Sequence, residues 1–232
     1  MGEDLARARK VVAAAFLGWA LDAFDFFIMV FVFSDVAKEF SVSITAVTVA
    51  VTLTLAMRPL GAFIFGRIAD HYGRRPALML CVLAYSVLEL ASGFAPTLAS
   101  FIFLRALFGV AMGGEWGIGS SLTMETIPAR WRGWVSGLLQ AGYPTGYFLA
   151  TLLYYIFLPM VGWRGLFMIG AIPALLVVFI YKNVPESPDF EHQRTTQRPP
   201  ILSVLRQNAG LTVYAVILMT AFNFLAHGTQ DI

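Results

Sequence analysis

Gly66-Arg67-Ile68-Ala69-Asp70-His71-Tyr72-Gly73-Arg74-Arg75-Pro76 is a short charged break between two long apolar runs. Residues 44–65 precede it and residues 76–95 follow it. Each run reaches the ~20 residues that an α-helix needs to cross a bilayer. Two such runs with so short a break predict antiparallel membrane-spanning helices. Four more complete runs lie at 11–33, 98–122, 135–158 and 163–181. A seventh starts near 210 and is still running at 232. The other breaks are short too, as at Ser92-Gly93-Phe94-Ala95-Pro96-Thr97 and Pro159-Met160-Val161-Gly162. The runs are continuous rather than alternating, which excludes a β-barrel. The expected fold class is therefore an all-α membrane bundle.

Composition agrees. Of 232 residues, 58% are apolar or aromatic and only 13% are charged. A soluble domain carries about 25% charge, and a chain this size has too much surface to cover with half of that. A single Cys excludes a disulfide scaffold, and it reads as a small core residue with no metal or redox role. The net charge of +2 is too small to suggest a nucleic-acid partner. The partners expected are a lipid bilayer and small solutes, with no cofactor and no metal.

Basic residues set the orientation. One set of loops holds Arg7, Arg9, Lys10, Arg67, Arg74, Arg75, Arg130, Arg132, Lys182, Arg194, Arg198 and Arg206. The opposite loops hold only Lys38 and Arg164. The positive-inside rule puts the first set, and the N-terminus, in the cytoplasm of a plasma (inner) membrane protein. The first apolar run is too long, and too acidic at Asp22 and Asp25, for a secretory signal. The one long loop, 183–209, is rich in Pro, Gln and charge and reads as a linker. The expected organisation is a six-span bundle over 1–182, a cytoplasmic linker over 183–209, and the start of a second bundle over 210–232. That is one half of a two-half protein with part of a seventh span. Sequence beyond Ile232 is expected to hold at least five more spans and a weaker copy of the Asp70 loop.

Seven ionisable residues fall inside spans: Asp22, Asp25, Arg58, Glu89, Arg105, Glu115 and Asp231. Each costs about 2.5–3.5 kcal/mol at mid-bilayer, so together they cost on the order of 20 kcal/mol against lipid. They must face protein, water or one another, and a purely structural bundle has no need of them. Asp22 and Asp25 are three apart and share a helix face. Carboxylates that close repel, and a shared proton relieves the repulsion, which suits proton coupling; pairing with Arg105 is the structural alternative. Arg105 keeps its charge and is either an ion-pair partner or an anion-binding group. Arg58 and Glu115 both lie toward the cytoplasmic halves of their spans, and two readings stand equal: a structural Arg58–Glu115 ion pair, or a role in transport. Glu89 has no evident partner.

Small residues repeat at four-residue spacing in Gly109-x-x-x-Gly113-x-x-x-Gly117, Gly133-x-x-x-Gly137 and Gly142-x-x-x-Gly146. That spacing lets helices approach closely in lipid. In the opening loop, Gly66 and Gly73 suit tight turns. Asp70 can accept from an Arg, and Arg74 and Arg75 can reach carboxylates on neighbouring loops, so the cluster can latch the inner face closed.

The loop resembles the G-x-L-A-D-R-x-G-R-R signature of the major facilitator superfamily, with Ile68 for Leu and His71 for Arg. Arg105-x-x-x-Gly109 resembles that family's fourth-span motif. Glu125-Thr-Ile-Pro128-Ala-Arg130-Trp-Arg132-Gly133 and Pro185-Glu186-Ser187-Pro188 resemble its sugar and metabolite porters. The resemblance implies a 3+3 inverted repeat in the N-terminal six-helix bundle. It also implies a transporter that works by alternating access; the sequence does not fix the oligomeric state, and a functional monomer is the expectation for the full-length chain. The gate motif would be Gly66, Asp70, Gly73, Arg74 and Arg75.

Near the end, Asn223-Phe-Leu-Ala-His227-Gly-Thr229-Gln230-Asp231 resembles a seventh-span pattern of lactate permeases in the sialate:proton symporter group, with Ala226 at a Ser/Thr position. Asn223, His227 and Asp231 fall at i, i+4, i+8 on one helix face. The resemblance implies proton symport of a small organic anion of the lactate or pyruvate type, with sialic acid or another metabolite as the alternative. Arg105, Asn223, His227 and Gln230 would bind the anion, and Asp22, Asp25 and Asp231 would couple protons. An enzyme is not expected: there is no H-E-x-x-H, and the remaining His71 and His192 lie in loops.

Overall fold

The computed structural model describes residues 2–193, 203 and 206–228, with side chains over 7–191, 203, 206–218 and 221. Every regular element among the described residues is helical. α1 spans Gly2–Phe31, α2 Phe33–Glu39, α3 Ile44–Tyr72, α4 Arg74–Gly93, α5 Leu98–Met112 and α6 Glu115–Thr126. A 3-10 turn at Ala129–Trp131 leads into α7 (Arg132–Gln140), α8 (Gly142–Ile169), α9 (Ala174–Asn183) and α10 (Pro188–Gln193). α11 is Ala209–Gly228. The chain divides into two compact units, Met1–His192 and Gln193–Ile232.

Local chemistry fixes the ends. The Ser43 side chain accepts from the Ala46 N–H and starts α3. Thr97 and Ser100 form a reciprocal capping box at the start of α5. Gly73 stops α3 at φ +113°, a backbone that side-chain-bearing residues rarely adopt. Gly66, by contrast, lies inside α3, which runs a further turn and a half past it. The expected turn there is not made, because the helix continues unbroken to Tyr72.

Five stretches among the described residues are long and apolar enough to span a membrane: Arg7–Phe31, Ile44–Tyr72, Arg74–Gly93, Leu98–Thr126 and Ala129–Asn183. The last has 55 residues, about 80 Å at helical rise, more than twice a bilayer core. The backbone breaks inside it at Gly162, with φ 66° and ψ 179°. The fifth and sixth expected spans thus fall on one helical stretch that folds at Gly162 and is interrupted again at Gly170–Pro173, between α8 and α9. Ion pairs mark the two ends of the bundle. At one end Arg164, just after the fold, binds Glu39 at 2.7 Å and donates to the Gly93 carbonyl. At the other, the Asp70–Arg75 motif meets Tyr181 and Glu186. We call this second end the motif end.

Much of the outer surface is apolar: Phe63, Phe103, Phe148 and Leu175 are all exposed, as lipid-facing helices require. α3 and α5 touch backbone to backbone. A Cβ on Gly109 would run into the Thr54 carbonyl, and one on Gly113 into the Arg58 carbonyl. Thr54 Oγ1 donates to the Arg105 carbonyl across the same seam at 2.9 Å. Gly146 brings α8 equally close to the Ala20 carbonyl of α1 and Gly142 packs less tightly beside Trp19 and the Phe16 carbonyl, whereas Gly117, Gly133 and Gly137 meet nothing within 4 Å.

Three apolar clusters fill the first unit. One holds Val11, Ala14, Cys81, Phe108 and Met112, a second holds Phe24, Ile28, Phe101 and Phe167, and a smaller third holds Ala8, Ala15, Ile127, Val135 and Leu139. Arg105 and Asp22 lie where the first two meet. On α5 Arg105 falls between Phe101 and Phe108, and on α1 Asp22 falls between Ala14 and Phe24.

Candidate functional site

Asp22, Asp25, Glu89, Arg105 and Glu115 are all buried, each at 1% exposure or less. Four helices supply them. Asp22 and Asp25 come from α1, Glu89 from α4, Arg105 from α5 and Glu115 from the first turn of α6.

Arg105 is fully engaged. Its Nη1 donates to Glu89 Oε2 at 2.6 Å, and Nε and Nη2 donate to Ser92 Oγ at 3.1 and 2.7 Å. Nη2 also reaches the Leu88 carbonyl at 3.3 Å. Glu89 and Ser92 are three apart on α4, so one helix face receives the whole guanidinium. Its plane lies against aromatic rings, with the Phe108 centroid at 4.1 Å and the Phe167 centroid at 5.0 Å. Glu89, without a partner in the sequence reading, is therefore the partner of Arg105.

Arg58 corrects an expectation. It pairs with Asp22 at 2.6 Å and not with Glu115. The reason is where Glu115 points: its Oε1 occupies the space a Cβ on Gly18 of α1 would take. Both Glu115 oxygens, both Asp25 oxygens and Glu89 Oε1 are buried without a hydrogen-bond partner among the described residues. Asp25 Oδ1 and Glu89 Oε1 both lie 3.2 Å from the position a Cβ on Gly170 would occupy. Those two carboxyls converge there. The Tyr85 hydroxyl is also buried and unpartnered, within electrostatic reach of Glu115, Asp25 and Asp22. The acids form a ladder along α1: Glu115 level with Gly18, then Asp22, then Asp25 with Glu89.

At the motif end, Arg74 binds Asp70 at 2.8 Å and Glu125 at 3.4 Å. Glu186 Oε1 accepts from the backbone N–H groups of Arg74, Arg75 and Ser187 at 2.8, 3.2 and 2.9 Å. It caps the start of α4, where helix N–H groups lack internal partners and favour an anion. A Cβ on Gly73 would strike this carboxylate. Ser187 donates to Glu125, and Arg75 donates to the Tyr181 carbonyl while stacking 5.3 Å from its ring centroid. Glu125, Glu186 and Ser187 are absent from the gate read in the sequence. Their signal lay in the two motifs that carry them, each far from the loop it joins.

Asn223 and His227 fall on the α11 backbone, four residues apart on one face, and their side chains lie outside the described residues. Gln230 and Asp231 lie outside the described residues altogether.

Residues 15–229 match the Major Facilitator Superfamily. The chain belongs to this family. It is 30% identical over 214 residues to the sialic acid transporter NanX of Escherichia coli (strain K12), covering 92% of this chain and 53% of that protein. It is 32% identical over 195 residues to the probable 4-methylmuconolactone transporter of Cupriavidus pinatubonensis, covering 82% and 46%. The superfamily fold is seen in the inward-open xylose transporter XylE from E. coli, at TM-score 0.72 and 21% identity over 95% of this chain and 57% of that one. This superfamily chain spans about half the length of the curated relatives it matches.

Proposed function

We propose that this chain is the N-terminal part of a proton-coupled symporter for a small organic anion, working by alternating access. The observation that carries the proposal is Asp25. It is a fully buried carboxyl with both oxygens unpartnered, and it converges with the Glu89 carboxyl that holds Arg105. A proton on this pair weakens the hold of Glu89 on Arg105, and the guanidinium becomes available to a substrate carboxylate. Deprotonation returns Arg105 to Glu89 and releases the anion. Proton and anion are thereby linked through one arginine. Asp22 and Asp231 would join Asp25 in coupling, and Asn223, His227 and Gln230 would complete the anion site.

The membrane would be the bacterial inner membrane, with the motif end, the N-terminus and the 183–209 linker cytoplasmic by the positive-inside rule. The Asp70–Arg74–Glu125–Glu186 network would then brace the inner face. The preferred substrate class is a monocarboxylate of the lactate or pyruvate type, from the seventh-span pattern. Sialic acid is the second reading, favoured by the similarity to a sialic acid transporter over 92% of this chain. The test is uptake of labelled lactate and labelled sialic acid into vesicles holding the full-length protein, with and without an inward proton gradient. Gradient-driven uptake of either, lost in both Arg105→Ala and Asp25→Asn, is the expected result. Uptake indifferent to the gradient would refute proton coupling.

A further inference from the structure

Counting charge in the interior leads past Asp25. Among the described residues, four buried acids (Asp22, Asp25, Glu89, Glu115) face one buried base, Arg105, and one part-buried base, Arg58. Arg58 serves Asp22 and Arg105 serves Glu89, so Asp25 and Glu115 are left without a cation. Asp25 converges with Glu89; Glu115 stands apart from both.

Its surroundings hold little to support a charge. α1 gives Gly18 and Asp22; α3 gives Arg58, already paired with Asp22. α4 gives Cys81 and the unpartnered Tyr85 hydroxyl. Leu176 of α9 closes the far side of Gly18, and Leu139 of α7 lines the outer side. One thing does open onto Glu115. A small cavity of about 10 Å³ is bounded by Glu115, Trp19, Trp116 and Ser120. That is roughly the room one water needs, and a water needs two or more polar partners. They are present: the Glu115 carboxyl, the Ser120 hydroxyl, and the buried, unpartnered Trp19 Nε1–H. Trp19 and Trp116, with ring centroids 6.0 Å apart, form its wall.

We propose that Glu115 is a separate proton-binding carboxyl, loaded and unloaded by water through the Trp19–Trp116–Ser120 cavity, and that it forms the motif-end rung of the acid ladder. The proton arrives from water and rests on a Glu115 oxygen; it leaves by the same route. Between Glu115 and Asp25 stand Asp22 and the Tyr85 hydroxyl, which can relay it. A role for this rung in transport rests on the symport reading; proton binding at Glu115 does not.

Infrared difference spectroscopy of the full-length protein in lipid vesicles, titrated in pH, tests this directly. Protonated carboxyls have a resolved carbonyl stretch. Glu115→Gln, nearly isosteric, is expected to remove one pH-dependent component that Asp25→Asn leaves in place, and Glu115→Asp is expected to restore it at a shifted position. Ser120→Leu, which fills the cavity, is expected to slow deuterium exchange of that component by tenfold or more. A Glu115→Gln spectrum equal to wild type at every pH overturns the proposal, as does a Glu115 component that neither titrates nor exchanges. If wild type shows no gradient-driven uptake, the symport reading fails on that assay, and the infrared component still decides Glu115.

Discussion

Arg105 of α5 and Glu89 of α4 form an ion pair 2.6 Å long with 1% and 0% of their side chains exposed. Two charges so deep are costly to desolvate. The pair persists because Ser92, the Leu88 carbonyl and the Phe108 ring take up the rest of the guanidinium. Removing one partner strands the other. Arg105→Ala is expected to destabilise the folded protein by about 3–5 kcal/mol, the scale for breaking a buried pair. The double change Arg105→Met with Glu89→Met is expected to cost less than either single Met substitution. Thermal unfolding in a mild detergent, arranged as a double-mutant cycle, measures both.

The Arg58–Asp22 pair behaves differently because its members differ in exposure, 26% against 2%. Asp22→Asn keeps a neutral hydrogen-bond acceptor beside an arginine that is only part-buried, and the expected cost is about 1 kcal/mol or less. Arg58→Ala leaves a buried aspartate with no cation, and the expected cost is at least about twice that. Equal losses in the same unfolding assay would contradict the asymmetry.

How much of this was legible beforehand follows from which interactions are local. The apolar runs and the Gly109 and Gly113 spacing follow from hydropathy and a four-residue repeat, each read along one stretch of chain; the helix ends do not, and α3 runs seven residues past the end of its apolar run. The membrane reading needed no partner. The pairing of buried charges did. Glu89 and Arg105 are sixteen residues apart on antiparallel helices, and helix rotation decides whether they meet. Sequence position put Arg58 and Glu115 at similar depth, but the rotation of α6 turns Glu115 toward Gly18. Glu186 is 112 residues from the Arg74 amide it caps, and no local spacing encodes that contact. Gly66 shows the opposite limit. A glycine beside charged residues reads as a turn, yet α3 absorbs Gly66 because the reversal is made seven residues later, at Gly73.

The helix seams separate two kinds of glycine. Gly109→Ala places a methyl against the Thr54 carbonyl, so α3 and α5 must part, at an expected cost of about 1–3 kcal/mol. Gly117→Ala meets nothing within 4 Å, and in α6 the better helix former is expected to leave stability unchanged or raise it by up to about 1 kcal/mol. Opposite signs for the two substitutions in one unfolding series is the result to look for.

Salt distinguishes the motif end from the core. Asp70 is 58% exposed, so its bond to Arg74 is screened by added salt. The Glu186 cap on α4 is part-buried and held by three backbone N–H groups, which salt weakens far less. Gly73→Ala attacks the cap from the backbone side: φ +113° is strained for alanine, and the new methyl drives into the Glu186 carboxylate. Its expected cost is about 1–3 kcal/mol at any ionic strength. Asp70→Asn is expected to cost under about 1 kcal/mol at low salt, with the difference from wild type vanishing at high salt. Unfolding midpoints of both variants at low and high salt check this. A salt-sensitive Gly73→Ala or a salt-insensitive Asp70→Asn would mean that the exposed pair, and not the Glu186 cap, holds α4 to the segment after α9.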